Sequence, residues 1–432
     1  MRKNASVWWM NPTVLFAIVM GIVITGAYMI PGENYRMFYR VDKFIDSGNI
    51  WLAVYPAAAF VLGGLLAGLL NKGVKPASVL PEAIRKRESF IKFAVFALFA
   101  MTVFGYAVYL LIMVRSGFTL SLFLSVLKGE PGVIYSIKQN FDKITGVTSF
   151  TNFGIAFTIL ATYYQCLTGK KTFLPAMAVV FLLTLMRSIF FSERLALMEI
   201  VVPAAVIWIS MRLKQGKRVP LVRLYPVIGI VFVIGFFGVS EYFRSWLSYY
   251  VHIYPSFWEF VVTRFFGYYV TALNTGTLYI RELGFPANPF PYYTWDWLWK
   301  ISPGGDAYAE AHGARPMNLL NNILETMGNP EFNNPSGLML PYHDYGFAGA
   351  LVYMALLGYA SGVLYTHFRN NHTFGMLLYP IWIVGILEFP RYLYFTSGRF
   401  FPCWVALLLF TLIVHYNRRK VKSWRLSGVN EA

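Results

Sequence analysis

The feature that most narrows what this chain can become is the recurrence of apolar runs long enough to cross a bilayer. A helical span needs roughly 17 to 25 largely apolar residues to cover about 30 Å of hydrocarbon at 1.5 Å per residue. Ten stretches qualify: 12–30, 51–70, 91–114, 150–168, 172–190, 195–211, 221–240, 346–366, 374–389 and 399–416. The ninth is short and holds Pro380, which predicts a broken or partly inserted helix. The run 118–127 is shorter still and suits an interfacial or re-entrant piece. The first run follows Met1-Arg2-Lys3, is too long for a signal-peptide core and has no convincing cleavage site, so it reads as an uncleaved span. With 57% of residues hydrophobic and 13% charged, a soluble domain of this size could hardly stay in solution. The expected fold class is therefore an all-α polytopic membrane protein of about 10 transmembrane helices, with an upper count of about 12. Cys166 and Cys403 lie in apolar runs, where a structural disulfide is not expected.

Charge tests this count independently of hydropathy. With the amino end in the cytoplasm and ten alternating spans, the inner side collects 21 of the 37 basic residues against three acids, a balance of +18. The outer side holds 16 basic and 17 acidic residues. The net charge of +17 is thus topological, fitting an anionic inner leaflet and giving no case for nucleic acid. Both termini are placed inside. The chain divides into 1–240 with seven spans, a large outer loop at 241–345, and 346–432 with three spans and a basic tail.

The outer face is selective for arginine. From Arg187 onward its basic residues are Arg187, Arg194, Arg244, Arg264, Arg281, Lys300, Arg315, Arg391 and Arg399, whereas the inner face mixes the two types almost equally. A planar guanidinium binds phosphate bidentately and tolerates partial burial, so this choice points to an anionic ligand at the membrane surface. The competing reading pairs these arginines with Glu199, Glu241, Glu259 or Glu282, or uses them as helix caps. Glu199 is the one clear carboxylate within a span and needs a partner, structural or functional. Arg194 lies five positions before it, a poor spacing for pairing on one helix, which leaves Arg187, Arg391 or Arg399.

Within the long loop, residues 256–283 contain no proline, and Phe257, Val261, Phe265, Tyr268 and Ala272 recur at helical spacing. This predicts an interfacial helix with one aromatic face, Arg264 on its flank, and close packing at Gly267 and Gly276. The following stretches, PANPFPYYTWDWLWK and ISPGGDAYAEAHGARP, are rich in proline and glycine and read as loops. Tyr292, Tyr293, Trp295, Trp297 and Trp299 form an aromatic cluster, suited to a headgroup boundary or to a stacking wall for sugar rings. Asp306, Glu310 and His312 fit no metal motif and read as a solvated loop. Small residues in the eighth span, including Gly358 and Gly362, predict close helix packing.

Arg264 to Gly276, RFFGYYVTALNTG, followed by Asn333-Asn334-Pro335 and by His343-Asp344-Tyr345-Gly346 opening a glycine-rich span, resembles the oligosaccharide repeat-unit polymerases of bacterial surface polysaccharides, the Wzy type. The Ser192-Glu193-Arg194 run looks like that family's outer-face arginine. The resemblance covers the carboxyl-terminal part of the chain loosely; the first half carries no such signature and reads as scaffold. It implies a metal-independent membrane glycosyltransferase of GT-C-like architecture in the bacterial inner membrane, needing no cofactor. Its donor and acceptor would be undecaprenyl-diphosphate-linked glycans, with a chain-length regulator as a further partner. Arg264 would stabilise the leaving diphosphate, and Asp344 or His343 would serve as base for the acceptor hydroxyl. Asp344 is equally placed to cap the eighth span. Arg187, Arg194, Arg244, Arg315, Arg399, Glu199, Tyr268, Tyr269 and Asn274 would line the substrate. A ligase joining polymer to lipid A core, and a flippase or carrier for lipid-linked glycan, remain as alternatives.

Overall fold

A computed structural model describes residues 7–77, 88–128, 146–191, 193–247, 249–286, 288 and 290–427, with scattered positions between 129 and 145. Of the charges counted above, Arg2, Lys3, Glu82, Arg85, Lys86, Arg87, Lys138, Asp142, Lys143 and Glu431 lie outside the described residues.

All regular structure among the described residues is helical. The principal helices are α1 (Pro12–Met29), α2 (Gly32–Tyr39), α3 (Trp51–Leu70), α4 (Glu88–Arg115), α5 (Leu120–Lys128), α6 (Phe153–Thr168), α7 (Leu174–Phe190) and α8 (Arg194–Lys214). They continue with α9 (Tyr225–Glu241), α10 (Phe257–Leu283), α11 (Asp296–Ile301), α12 (Gly304–His312), α13 (Pro316–Met327), α14 (Ser336–Arg369), α15 (Thr373–Glu388) and α16 (Phe400–Ser427). Every one of the ten predicted runs is a helix. Among the described residues six helical stretches are long and apolar enough to cross a membrane, namely α1, α3, α4, α8, Val222–Glu241 and α14. Three shorter apolar helices, α7, α15 and the Phe400–Val414 part of α16, accompany them. The chain is a polytopic helical membrane protein.

The predicted close packing is found between α3 and α14. A Cβ on Gly358 would overlap the Phe60 carbonyl, one on Gly362 would meet Ala67, and one on Gly63 would overlap the Ala355 carbonyl. The two backbones therefore touch, which is how helices gain van der Waals contact where lipid is as apolar as the side chains. On the other side of α14 lies α15, buried from Thr373 to Ile386 except at Phe374, and continuous through Pro380 rather than broken there. Its Tyr379 donates to the Met10 carbonyl at 2.7 Å.

Two expectations for the large loop change. Its carboxyl-terminal end is already helix: α14 starts at Ser336 and passes His343 and Asp344 before breaking at Gly346, where φ 65 and ψ −173 demand glycine. The proline-rich stretch read as loop folds into the short helices α11 and α12, and α13 follows them.

α10 is more deeply enclosed in its second half than its aromatic stripe suggested. Ser256 caps its start by accepting from the Glu259 N–H at 3.2 Å, and Gly284 ends it. From Val270 to Ile280 every residue is buried. Val270 lies 3.5 Å from a Cβ built at Gly26 of α1, and Val261 lies at the same distance from one built at Gly238 of α9. A Cβ on Gly276 would meet Pro335 and Met339, and one on Gly267 would come within 2.7 Å of Tyr39. The small side chains of its second half admit neighbours on all sides, so α10 becomes the beam against which α1, α9 and α14 are set.

Candidate anion site

The residue that organises this end of the bundle is Glu241, the last of α9 and wholly buried. A π-helical turn, Tyr242–Trp246, follows it and brings Arg244 back, with Nη1 3.2 Å from Oε1. Arg194, at the start of α8, places Nη2 2.9 Å from the same oxygen. Arg264, from α10, donates through Nε to Oε2 at 2.9 Å, and the Ser245 hydroxyl donates to Oε2 at 2.6 Å. Three guanidiniums converge on one carboxylate.

Arg264 reaches further. Its Nη1 donates to the Tyr250 hydroxyl and to Glu331 Oε2, both at 2.9 Å. Glu331 also accepts from Arg40 Nη2 at 2.8 Å and from Tyr250 at 2.7 Å. Burial works against ionisation of Glu331, but Arg264 and the hydrogen bonds from Arg264, Tyr250 and Arg40 outweigh it and hold the carboxyl down at about 2. Arg40 comes from the half of the chain that read as scaffold. Its position follows from the left-handed turn ending α2, φ 54, and from the hold of the Tyr39 carbonyl by Asn329 at 2.7 Å.

Tyr268 lies on the same side of α10 as Arg264. The guanidinium carbons of Arg391, Arg194 and Arg264 stand 5.4, 5.6 and 5.8 Å from its ring centre. Burial and Glu241 both push its phenol up, yet Arg264, Arg194 and Arg244 overcome them and leave it below the ordinary tyrosine value. Arg391 in turn pairs with Glu388 at 2.7 Å. Five arginines (40, 194, 244, 264 and 391) thus meet three carboxylates (241, 331 and 388), an excess of two positive charges. Two buried donors in this group, Arg194 Nη1 and Arg391 Nε, have no hydrogen-bond partner among the described residues. Buried guanidinium donors are costly to leave unmade, and this group keeps two of them.

A second group is neutral. Glu199 accepts from Arg399 through Nε at 2.9 Å and Nη2 at 2.8 Å, and from the Tyr394 hydroxyl at 2.7 Å. Glu193 takes Arg187 Nε at 2.7 Å and Arg399 Nη1 at 3.4 Å, while Arg187 Nη1 donates to Thr151 at 2.8 Å. The partner that Glu199 required is therefore Arg399. Ser192, the first residue of the Ser-Glu-Arg run, lies outside the described residues.

Several residues assigned to the substrate are spent on the fold. Arg264 is 6% exposed and divided among two carboxylates and a tyrosine, so it cannot turn its fork to a ligand. Arg187 and Arg399 are committed to Glu193 and Glu199. Asn274 accepts from the Phe44 and Ile45 N–H groups at 2.6 and 3.2 Å and donates to the Asp42 carbonyl at 2.9 Å, tying a loop to α10. Arg315 pairs with Asp306 at the α12–α13 connection. Tyr269 is set beside Glu388 and Arg391, and burial raises its phenol first of all.

Asp344 caps no helix of its own. Its two oxygens accept from the Tyr293 N–H at 3.0 and 3.1 Å, the Thr294 N–H at 2.6 Å and the Thr294 hydroxyl at 2.8 Å. At 1% exposure it clamps the aromatic loop and has no oxygen open to a substrate hydroxyl. His343 is fully buried with its ring 5.2 Å from that of Tyr293. The tryptophan cluster is likewise engaged: Trp297 Nε1 donates to the Thr396 carbonyl and Trp299 Nε1 to that of Pro291. Asp306 and His312 belong to α12, where His312 stacks on Tyr308 at 4.0 Å.

Among the described residues no three His, Cys, Asp or Glu side chains gather as a metal site. No family model, no curated protein and no solved structure matches the chain. The site must be read from its own chemistry: a buried, partly open set of Arg194, Arg244, Arg391 and Tyr268, suited to a compact anion.

Proposed function

We propose that the chain is a membrane glycosyltransferase of the repeat-unit polymerase type. In this reading all ten apolar helices span the bacterial inner membrane in a GT-C-like arrangement, with both termini cytoplasmic and the arginine cluster on the outer face. The enzyme transfers a growing glycan from undecaprenyl diphosphate to a hydroxyl of an incoming lipid-linked repeat unit, with a chain-length regulator as an additional partner. The observation that carries the reading is the two-charge excess together with the buried, unpaired donors on Arg194 and Arg391. A diphosphate leaving group supplies the missing negative charge.

During transfer the bond between the anomeric carbon and the diphosphate oxygen breaks, and its electrons stay on the diphosphate. Arg194, Arg244 and Arg391 stabilise that charge, a contribution that grows in a water-poor site. A glycosidic bond forms to the acceptor oxygen, which gives up its proton. We assign Tyr268 to receive it, the phenol that Arg264, Arg194 and Arg244 hold below the ordinary tyrosine value. Arg264 acts as a positioning residue by fixing Glu241, Glu331 and Tyr250. Asp344 acts by holding the loop that carries Tyr293 and Thr294.

The test is reconstitution of the full chain in liposomes with a lipid-linked repeat unit and separation of products by glycan length. Lengthened glycan on the carrier lipid is the expected result. Translocation without lengthening identifies a carrier, and transfer onto a lipid A core acceptor identifies a ligase; either overturns the polymerase assignment.

A further inference from the structure

α8 starts in the arginine cluster at Arg194 and ends at Lys214, at the opposite end of the bundle. Hydrogen bonds bring other helix ends to the same place. Lys214 Nζ donates to the Phe368 carbonyl near the end of α14 at 2.8 Å, and Asn370 Nδ2 donates to the Val74 carbonyl just after α3 at 3.1 Å. Gln215 Nε2 reaches the Cys166 carbonyl near the end of α6 at 3.4 Å. The stretches 71–77, 169–173, 212–223 and 367–372, which meet at this end, carry ten Lys and Arg residues and no Asp or Glu. The carboxylate described beside them, Glu88 at the start of α4, is taken by Lys92 and Lys170.

α8 closes in a Schellman turn. Gly216 adopts φ 76, its N–H bonds to the Leu213 carbonyl, and the Lys217 N–H bonds to the Arg212 carbonyl, both at 3.0 Å. The turn folds Lys217 and Arg218, both exposed, back beside the last turn of the helix, on which Arg212 sits. The guanidinium of Arg212 lies against the ring of Trp208, its carbon 4.9 Å from the ring centre. Its Nε is buried without a partner, and no described residue hydrogen-bonds or ion-pairs with the guanidinium. Trp208 is 44% exposed, and Val201, seven residues earlier on the same face of α8, is 39% exposed. At 1.5 Å per residue Arg212 lies about 27 Å along α8 from Arg194, which sets the two near opposite boundaries of a ~30 Å hydrocarbon layer.

A guanidinium at a membrane boundary with no protein acceptor is satisfied by headgroup oxygens, and its planar fork fits a phosphate. The exposed indole one turn away is a side chain favoured at that depth, and its ring offers a flank to an acyl chain. The surrounding cations select among heads. A zwitterionic head would bring its own ammonium toward Lys217 and Arg218, and a net anionic one would not.

We propose that the Lys214 end of α8 binds an anionic phospholipid, its phosphate on Arg212 and an acyl chain along Trp208 and Val201. The site lies at the membrane face opposite the arginine cluster and does not depend on what that cluster binds.

The test is native mass spectrometry of the full chain released from phosphatidylcholine nanodiscs containing phosphatidylglycerol, reading how much phosphatidylglycerol stays bound. The variants are Arg212→Gln, Trp208→Leu and, as the control for charge alone, Lys171→Gln, an exposed lysine at the same end. The wild type should retain phosphatidylglycerol in preference to phosphatidylcholine. Arg212→Gln should lower that retention about fivefold, the worth of one basic residue at a charged membrane surface. Trp208→Leu should lower it as well, and Lys171→Gln should leave it unchanged. Unfolding midpoints in phosphatidylcholine alone show that each variant is folded; should Arg212→Gln fail there, Trp208→Leu carries the comparison. Retention unchanged in both site variants, an equal loss in the control, or no preference over phosphatidylcholine each overturns the proposal. Displacement of the lipid by millimolar inorganic phosphate would make this a site for a free anion and overturn the lipid assignment.

Discussion

Glu241 and Arg264 meet at 2.9 Å with essentially no solvent on either side chain, and each is bound to further charges that the other does not touch. Glu241 gathers Arg194 and Arg244, and Arg264 gathers Glu331 and Tyr250. The pair joins α9 to α10 and links two sets of buried charges into one network.

Glu241→Gln should be among the most damaging single changes in the chain. It leaves three guanidiniums facing one another in a buried space, where breaking a paired charge costs about 3 to 5 kcal/mol. Thermal unfolding in detergent should show a large drop in midpoint. An unchanged midpoint would mean the cluster is not formed.

Arg264→Lys separates building from binding. A lysine has one charged nitrogen and cannot span Glu241, Glu331 and Tyr250 at once, so stability and activity should fall together. Arg194→Ala and Arg391→Ala should instead leave a folded protein that has lost about 100-fold or more in chain extension, the usual scale for a lost charge-stabilising donor. Expression and unfolding midpoint, read beside product length, distinguish the two patterns.

The Glu331 carboxyl sits at about 2 when folded, against about 4.5 when free. Because the folded value is the lower one, its stabilising contribution is complete above pH ~4.5 and is lost as pH falls toward ~2. The gap in unfolding midpoint between wild type and Glu331→Gln should therefore be constant above pH ~5 and close as the solution is acidified. A gap that persists at pH ~2 would show that Glu331 acts other than as an anion.

Asp344→Asn tests whether the carboxylate is a clamp. An amide can accept on one side only, and its NH2 would face the Tyr293 and Thr294 N–H donors, leaving a buried donor unsatisfied at about 1 to 3 kcal/mol. Limited proteolysis within 286–303 should become faster. If the loop stays as protected as in the wild type while activity vanishes, Asp344 is a base after all.

The helical class, the positions of all ten apolar runs, the close packing of the small residues on α14, and the packing of Gly267 and Gly276 were legible in the sequence, because each follows from periodicity and side-chain size within a short window. So was the preference for arginine. Which arginine is spent and which is free was not. Glu331 lies 67 residues from Arg264, and Arg40 is still farther along the chain from Tyr250. Asp344, which looked like a helix cap, is claimed by backbone donors some fifty positions earlier. Local pattern fixes which residues share a helix face, since that depends on spacing alone. The pairing of buried charges depends on which faces are brought together and on how each carboxylate divides itself among competing guanidiniums, and only the assembled bundle decides that.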